Sequence, residues 1–410
     1  MNTVTWRTTT QRKVSLLGVT FYLFLLSMLF LPRLSGQLRY EDLLMPLLVL
    51  TSFLYLKRSK EQLNIILLTW IIYIFYLFVV TIGNIVFGDL PFLAVLVAGK
   101  EVQYLLLFIM SLSYLATNEN REIFSRILPY IFGIIVVYVA LYLLTNERSD
   151  YGLPYVNDPS PTNSMLVYFH LFVFALLVHT EKKSRNIFLF FTLAMFIYTF
   201  LVGNRTGQLG LLIFVFFYLL LNLRSWLRTL YGVSVIALVL IINQLSYEIH
   251  EVLYYNEALH PVIEGSMSRL GTLFTLRETF EGSRLQSITS ILSISNENNL
   301  LFGCGRGCTH ISSDASFSLG MGGDNQYTVD FVEIGVVGLL MHCLLFLSPY
   351  LYSVARRNKV FPAYTIAFFV MSLTGEHFQL PRGAQFYWLI AAFVLTQRNG
   401  EFRRTKINLQ

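Results

Sequence analysis

The chain has 410 residues, of which 55% are hydrophobic and 13% are charged, and its mean hydropathy is +0.59. Soluble domains carry about 25% charged residues, so this composition excludes an ordinary soluble globular protein. The net charge of +6 does not indicate nucleic-acid binding, because the lysines and arginines are distributed as membrane topology requires. Hydrophobic runs recur along the whole chain, and we therefore expect one integral-membrane domain over residues 1–410 and no nucleic-acid partner.

The hydrophobic runs have the length of membrane-spanning helices, which need about 20 apolar residues to cross the bilayer. They predict an all-α polytopic protein with about twelve spans. The first run follows Arg7, Arg12 and Lys13 without a small-residue cleavage site, so we interpret it as a retained helix and not as a signal peptide. The predicted spans are 14–32, 41–56, 63–86, 91–115, 123–144, 163–180, 187–203, 206–223, 229–247, 327–352, 361–375 and 384–397.

Most lysines and arginines fall in alternate loops, and this bias predicts that both termini lie in the cytoplasm. The basic residues of the predicted outer segments are all arginines. Because a guanidinium group binds phosphate or carboxylate through two hydrogen bonds, this bias favours recognition of such groups outside the membrane, although chance in lysine-poor loops is the alternative. The outer arginines are Arg33, Arg39, Arg148, Arg205, Arg269, Arg277, Arg284, Arg306 and Arg382.

Residues 248–326, between the ninth and tenth predicted spans, form a large outer loop without a span of its own. Loops of this length are usually functional or disordered, and disorder fits poorly here because apolar residues continue at helical spacing. Apolar residues at helical spacing predict short amphipathic helices that lie on the outer membrane face or cover a cavity. In this loop Cys304 and Cys308 flank a Gly-Arg-Gly sequence. An oxidising compartment permits a disulfide there, whereas a zinc site would need two further ligands.

Ionisable residues inside predicted spans are costly and mark candidate functional positions. Lys100 and Glu101 are neighbours in the fourth span, where Lys100 either faces a phosphate-holding cavity or belongs to a buried structural ion pair. Asp330 and Glu333 lie one turn apart on the tenth span and either contact a substrate or cap a wet interface. We interpret the histidines in the spans as packed or hydrogen-bonded residues and not as metal ligands, namely His170, His179 and His342.

Three segments then occur in a definite order along the chain. The first is Gly203-Asn204-Arg205-Thr206-Gly207-Gln208-Leu209, and the second is Gly282-Ser283-Arg284-Leu285, followed by Leu301-Phe302-Gly303-Cys304-Gly305. The third is Asp324-Asn325, with nine residues before Gly335-Val336-Val337-Gly338. In order, spacing and outer placement they resemble the O-antigen ligase and O-antigen polymerase superfamily. The resemblance covers about residues 160–345 by motif and the whole chain by topology.

The resemblance implies a GT-C-like fold in the bacterial inner (plasma) membrane and a metal-independent glycosyltransferase without a cofactor. Such an enzyme polymerises undecaprenyl-pyrophosphate-linked oligosaccharide units on the outer membrane face, for O-antigen, capsule or exopolysaccharide. Ligases carry histidine where this chain has Asp324, which favours a polymerase and leaves O-antigen ligase as the alternative. A lipid-linked oligosaccharide flippase or other transporter is the alternative of another class, although the sequence lacks the repeats typical of transporters. The implied partners are the lipid-linked donor and acceptor, the lipid bilayer, a chain-length regulator and a flippase.

The resemblance also suggests roles for individual residues. Arg205 and Arg284 would stabilise the charge that develops on the departing pyrophosphate, and Asp324 would accept the proton of the acceptor hydroxyl. Asp324-Asn325 have a second interpretation as the N-cap of the tenth span, and the two interpretations are compatible. The Pro- and Asn-rich segment before the sixth span either lines the sugar site or is a plain helix-entry turn. The predicted substrate-binding residues are Lys100, Asn163, Arg277, Asn325 and Arg306.

Overall fold

The computed structural model describes residues 15–30, 33–35, 38–55, 64–88, 90–145, 169–178, 205–223, 225–234, 300–309, 325–354, 359–373 and 381–396. These residues are largely helical, and a short antiparallel hairpin of β1 (Arg33–Ser35) and β2 (Leu38–Arg39) joins the first two helices. The helices are α1 (Leu16–Phe30), α2 (Tyr40–Leu43), α3 (Met45–Tyr55), α4 (Asn64–Phe87), α5 (Ala94–Leu115), α6 (Asn118–Thr145), α7 (Phe169–Val178), α8 (Arg205–Asn222), α9 (225–234), α10 (Gln326–Val354), α11 (Val360–Met371) and α12 (Pro381–Thr396).

Three of the described helices are long and apolar enough to cross a membrane. They are Ile65–Phe87 in α4, Ala94–Leu115 in α5 and Gln326–Leu351 in α10. Shorter apolar helices lie within the first, sixth, eighth, eleventh and twelfth predicted spans. The described residues therefore confirm an α-helical architecture with helices that are long and apolar enough to span a membrane. The number of twelve spans stays a prediction, and predicted span 187–203 and most of the large outer loop lie outside the described residues.

The outward face of α4 is apolar. The side chains of Ile65, Phe75 and Phe87 are 77%, 72% and 92% exposed, while Trp70 and Tyr73 on the same helix are fully buried. A soluble protein rarely exposes such a continuous apolar surface, whereas a bilayer covers it at no cost. This distribution is typical of a helix that packs against protein on one side and against lipid on the other.

The core centres on Trp388 of α12, where four helices meet. Its ring lies 4.8 Å from that of Trp70 on α4 and 5.1 Å from those of Phe108 on α5 and Phe346 on α10, measured between centroids. Edge-to-face and tilted aromatic pairs at these separations stabilise packing beyond the area that they bury. The aromatic core fixes α4, α5, α10 and α12 relative to one another, and these helices also carry or border the polar cluster described below.

The helix α10 is broken at Gly335, whose backbone has φ +66° and ψ −177°. The sequence predicted a span over 327–352, and the apolar helix Gln326–Leu351 agrees with it, but the structure interrupts that helix at Gly335. A left-handed φ interrupts the i to i−4 hydrogen-bond ladder and frees carbonyl and N–H groups on both sides of the break. In an apolar environment each freed group requires another partner.

Candidate functional site

Segment 300–309, which belongs to the loop predicted to lie outside the membrane, supplies partners for the broken helix. The N–H groups of Cys304 and Gly305 donate to the carbonyls of Val332 and Glu333 at 3.0 and 2.8 Å. In return, the N–H groups of Val336 and Val337 donate to the carbonyls of Leu300 and Leu301 at 3.1 and 3.3 Å. Tyr76 of α4 donates its hydroxyl to the carbonyl of Ile334 at 2.7 Å. The backbone groups freed by the break are thus bonded to the loop and to α4.

Glycines make this close approach of two backbones possible. A Cβ at Gly303, whose φ is +76°, would lie 2.5 Å from the carbonyl carbon of Glu333. A Cβ at Gly335 would overlap the carbonyl group of Leu301. The two glycines belong to the second and third of the three segments on which the family resemblance rests, and the structure brings these parts of the two segments into direct contact.

Arg306 extends from the docked segment into a buried cluster of carboxylates. Its Nη1 lies 2.6 Å from Oδ1 of Asp330 and 3.3 Å from Oε2 of Glu333, and its Nη2 lies 2.8 Å from Oε1 of Glu101. All four side chains are at most 3% exposed. The backbone N–H of Arg306 also donates to Oγ1 of Thr81 on α4 at 3.1 Å. The guanidinium of Arg306 thus joins segment 300–309 to α5 and α10, while the backbone N–H of Arg306 binds Thr81 of α4.

Further polar contacts extend this cluster. The hydroxyl of Thr309 donates to Oε1 of Glu333 at 2.5 Å, and Nδ1 of His342 lies 2.7 Å from Oδ2 of Asp330. Because an ionised carboxylate only accepts hydrogen bonds, Nδ1 of His342 carries the hydrogen. Asp330 and His342 would lie about 18 Å apart along a straight helix, so their contact shows that α10 bends sharply at Gly335. The cluster therefore joins the two arms of the broken helix.

The charge of Arg306 is stabilised where it lies. Burial alone would lower the pKa of its guanidinium, but Tyr73 and the carboxylates of Asp330, Glu101 and Glu333 raise that pKa well above its ordinary value. A buried cation with several anionic partners is a strong constraint on geometry, because separating it from them exposes uncompensated charge. The docked segment is consequently held by electrostatics as well as by backbone hydrogen bonds.

Cys304 and Cys308 are paired as a disulfide across the Arg306 turn, with 6.1 Å between their Cα atoms. The sequence left this pairing open. Cys304 is buried and its Sγ lies 3.4 Å from the carbonyl of Val332, whereas Cys308 is half-buried. The disulfide closes a small ring around Gly305, Arg306 and Gly307. Cys343 on α10 is a free thiol.

The structure places several predicted site residues. Asn325 is the N-cap of α10, because its Oδ1 accepts hydrogen bonds from the N–H groups of Tyr327 at 3.0 Å and of Thr328 at 3.3 Å. Lys100 is half-buried on α5, and Arg205 is the first residue of α8. The direct substrate contacts predicted for Lys100, Asn325 and Arg306, and the catalytic role of Arg205, stay predictions. The remaining predicted residues lie outside the described residues, namely Asn163, Arg277, Arg284 and Asp324.

The structure also corrects one of the two interpretations of the acidic pair on α10. Asp330 and Glu333 do not cap a wet interface, because both side chains are fully buried against Arg306, and the alternative of a substrate contact stays a prediction. Glu101 forms a buried ion pair with Arg306, whereas the sequence analysis offered a buried structural ion pair as one interpretation of its neighbour Lys100. His170 and His342 are hydrogen-bonded residues, as expected, with Nδ1 of His170 lying 2.8 Å from the hydroxyl of Tyr364.

Sequence reasoning missed the polar residues of α4. Tyr73, Tyr76 and Thr81 lie in a strongly apolar helix and contribute hydroxyl groups to the loop and the cluster. The available signal was their spacing, since residues 73, 76 and 81 fall on the same half of the helix circumference. Within the described residues, no group of three or more His, Cys, Asp or Glu side chains is arranged to hold a metal ion.

Comparison with known proteins does not assign the chain to a family. No protein-family model matches it, and no curated protein matches it either. Its apolar helices are those of an α-helical membrane protein, and its segment 300–309 is docked on a broken helix.

Proposed function

We propose that the protein is an integral-membrane glycosyltransferase that polymerises undecaprenyl-pyrophosphate-linked oligosaccharide units on the outer face of the bacterial inner membrane. The observation that carries the proposal is the direct contact between segments 301–305 and 335–338, which belong to two different family-like motifs. Motifs separated in sequence that meet at one place in the fold are expected of one functional unit. The type of activity is inferred from the resemblance of those segments to polymerase motifs.

The proposed reaction moves a glycan from its lipid pyrophosphate to a sugar hydroxyl on a second lipid-linked molecule. The hydroxyl oxygen bonds to the anomeric carbon, the bond from that carbon to the pyrophosphate oxygen breaks, and the hydroxyl proton passes to a base. Arg205 and Arg284 would hold the pyrophosphate as its charge grows, and loss of one such donor typically costs about 10²–10³ in rate. Asp324 would be the base, with Asn325 fixing the start of α10 beside it.

A strain that lacks the protein tests this function. Loss of a polymerase leaves single repeat units attached to lipid or core, whereas loss of a ligase leaves long chains unattached to core. The variants Arg205→Ala and Arg284→Ala are expected to abolish long chains at normal protein levels. Arg126→Ala is the matched control, because Arg126 pairs with Glu122 on an exposed face of α6. Full-length polymer from both test variants would refute the assigned roles.

The broken helix favours a second candidate function, that of a lipid-linked oligosaccharide flippase or other transporter. Transporters often build substrate sites from discontinuous helices with ionised residues near the break. Here, however, the backbone groups at the break bond to the protein itself, and Asp330 and Glu333 are paired with Arg306. In the deletion strain, lipid-linked units that accumulate on the inner membrane face would identify the transporter.

A further inference from the structure

We propose that the pair Cys304 and Cys308 is a site of thiol–disulfide exchange, and that its oxidation by a disulfide oxidoreductase of the outer compartment locks the Arg306 turn into the carboxylate cluster. The turn is the link between two observations, the disulfide and the buried ion network. This inference concerns docking of the outer loop and is independent of the proposed polymerase activity.

The sequence of the turn explains why it needs a lock. Gly303, Gly305 and Gly307 all have positive φ, at 76°, 95° and 86°. Glycine loses more conformational freedom on ordering than any other residue, so an open chain with this sequence would populate many conformations besides the docked one. Docking would then have to offset that entropy before Arg306 reaches its carboxylates.

Ring closure removes much of this freedom before docking. For a ring of five residues, the chain-entropy relation favours the ordered state by about 30-fold over the open chain. The ring also positions the guanidinium, because Arg306 is its central residue. Oxidation therefore lowers the entropic cost of docking and leaves the contacts of the docked state unchanged.

In the docked turn, the exposure of the two cysteines sets the order in which their sulfurs react with the oxidoreductase. Cys308 is half-buried, whereas Cys304 is 8% exposed and faces the carbonyl of Val332. The thiolate of Cys308 attacks the partner's disulfide, which forms a mixed disulfide and releases one partner thiolate. The thiolate of Cys304 then attacks the sulfur of Cys308 and displaces the second partner thiolate. In total, the protein loses two electrons and two protons, and the partner's disulfide becomes a dithiol.

Oxidised glutathione tests this order in the full-length protein carrying Cys343→Ser. Two variants of this protein each keep one thiol of the pair: Cys304→Ser keeps the thiol at position 308, and Cys308→Ser keeps the thiol at position 304. The Cys304→Ser variant is expected to form the mixed disulfide with glutathione several-fold faster than the Cys308→Ser variant. Equal rates, or a faster reaction at position 304, would overturn the proposed entry through Cys308.

Hydrogen–deuterium exchange tests the lock itself on the full-length protein in a lipid nanodisc, with and without a phosphine reductant. Reduction, or Cys308→Ser, is expected to speed exchange of the docking amides of Cys304, Gly305, Val336 and Val337 by about 30-fold. Cys343→Ser is the matched control and is expected to exchange like the unmodified protein. Unchanged protection in both the reduced protein and the Cys308→Ser variant would overturn the proposal.

Discussion

Replacing Arg306 with alanine tests the docked loop most directly. The substitution removes the guanidinium from among Glu101, Asp330 and Glu333, whose side chains are at most 3% exposed. Removing one partner of a buried ion pair costs about 3–5 kcal/mol, because the remaining charge is left uncompensated. A loss of about 3 kcal/mol corresponds to more than a hundredfold shift in the docking equilibrium. We therefore expect Arg306→Ala to release segment 300–309 or to unfold the protein.

The assay is denaturant unfolding of the purified protein in detergent, with hydrogen exchange of segment 300–309 to separate local release from global unfolding. Arg126→Ala is the matched control, since Arg126 and Glu122 are 70% and 54% exposed. Exposed pairs contribute at most about 1 kcal/mol. Arg306→Lys is expected to fall between the two, because an ammonium group cannot reproduce the fork of contacts. Equal stability of Arg306→Ala and Arg126→Ala would refute the ion network as the anchor.

Two further substitutions test the broken helix. In a thermal-unfolding assay, Gly335→Ala is expected to destabilise the protein by more than about 1–2 kcal/mol, since alanine is strained at φ +66° and its Cβ would overlap Leu301. Gly133→Ala is the control, because Gly133 lies in the open middle of α6, and it is expected to be neutral or stabilising. Asn325→Ala is expected to lower the free energy of unfolding by about 1 kcal/mol, because alanine loses the cap on the N–H of Tyr327, whereas Asn325→Asp keeps that cap and is expected to lower it by almost nothing. Equal losses in the two variants would contradict the assignment of Asn325 as the N-cap of α10.

The helices were predictable from the sequence because apolar runs of span length report directly on burial in lipid. Predicted spans 63–86 and 91–115 correspond closely to α4 and α5, and 327–352 corresponds to α10. Helix ends were less accurate, with α6 beginning at Asn118 and not at residue 123. The polar first turn of α6 carries no apolar signal, although its residues continue the helix.

The site was only partly predictable. The sequence singled out Glu101, Asp330 and Glu333 because ionised residues inside predicted spans require partners, and it singled out Arg306 as one of the predicted outer arginines. It did not pair them, since Arg306 and Glu101 are 205 residues apart and a single sequence contains no information about which distant charges meet. The break at Gly335 was missed for a related reason. A glycine inside an apolar run is compatible with close packing and with a break, and only the docked loop decides between them.

The composition of the cluster indicates what it does for the fold. A buried ion network contributes little net stability compared with apolar packing of the same volume, because each charge loses its hydration. We infer that its main effect is specificity. Backbone hydrogen bonds between the loop and the broken helix would tolerate a shift in register, but a shift would carry Arg306 away from Glu101 and Asp330 and leave buried charges unpaired. The network therefore selects one register of the loop on α10, and the proposed active site requires that register if its motifs are to meet.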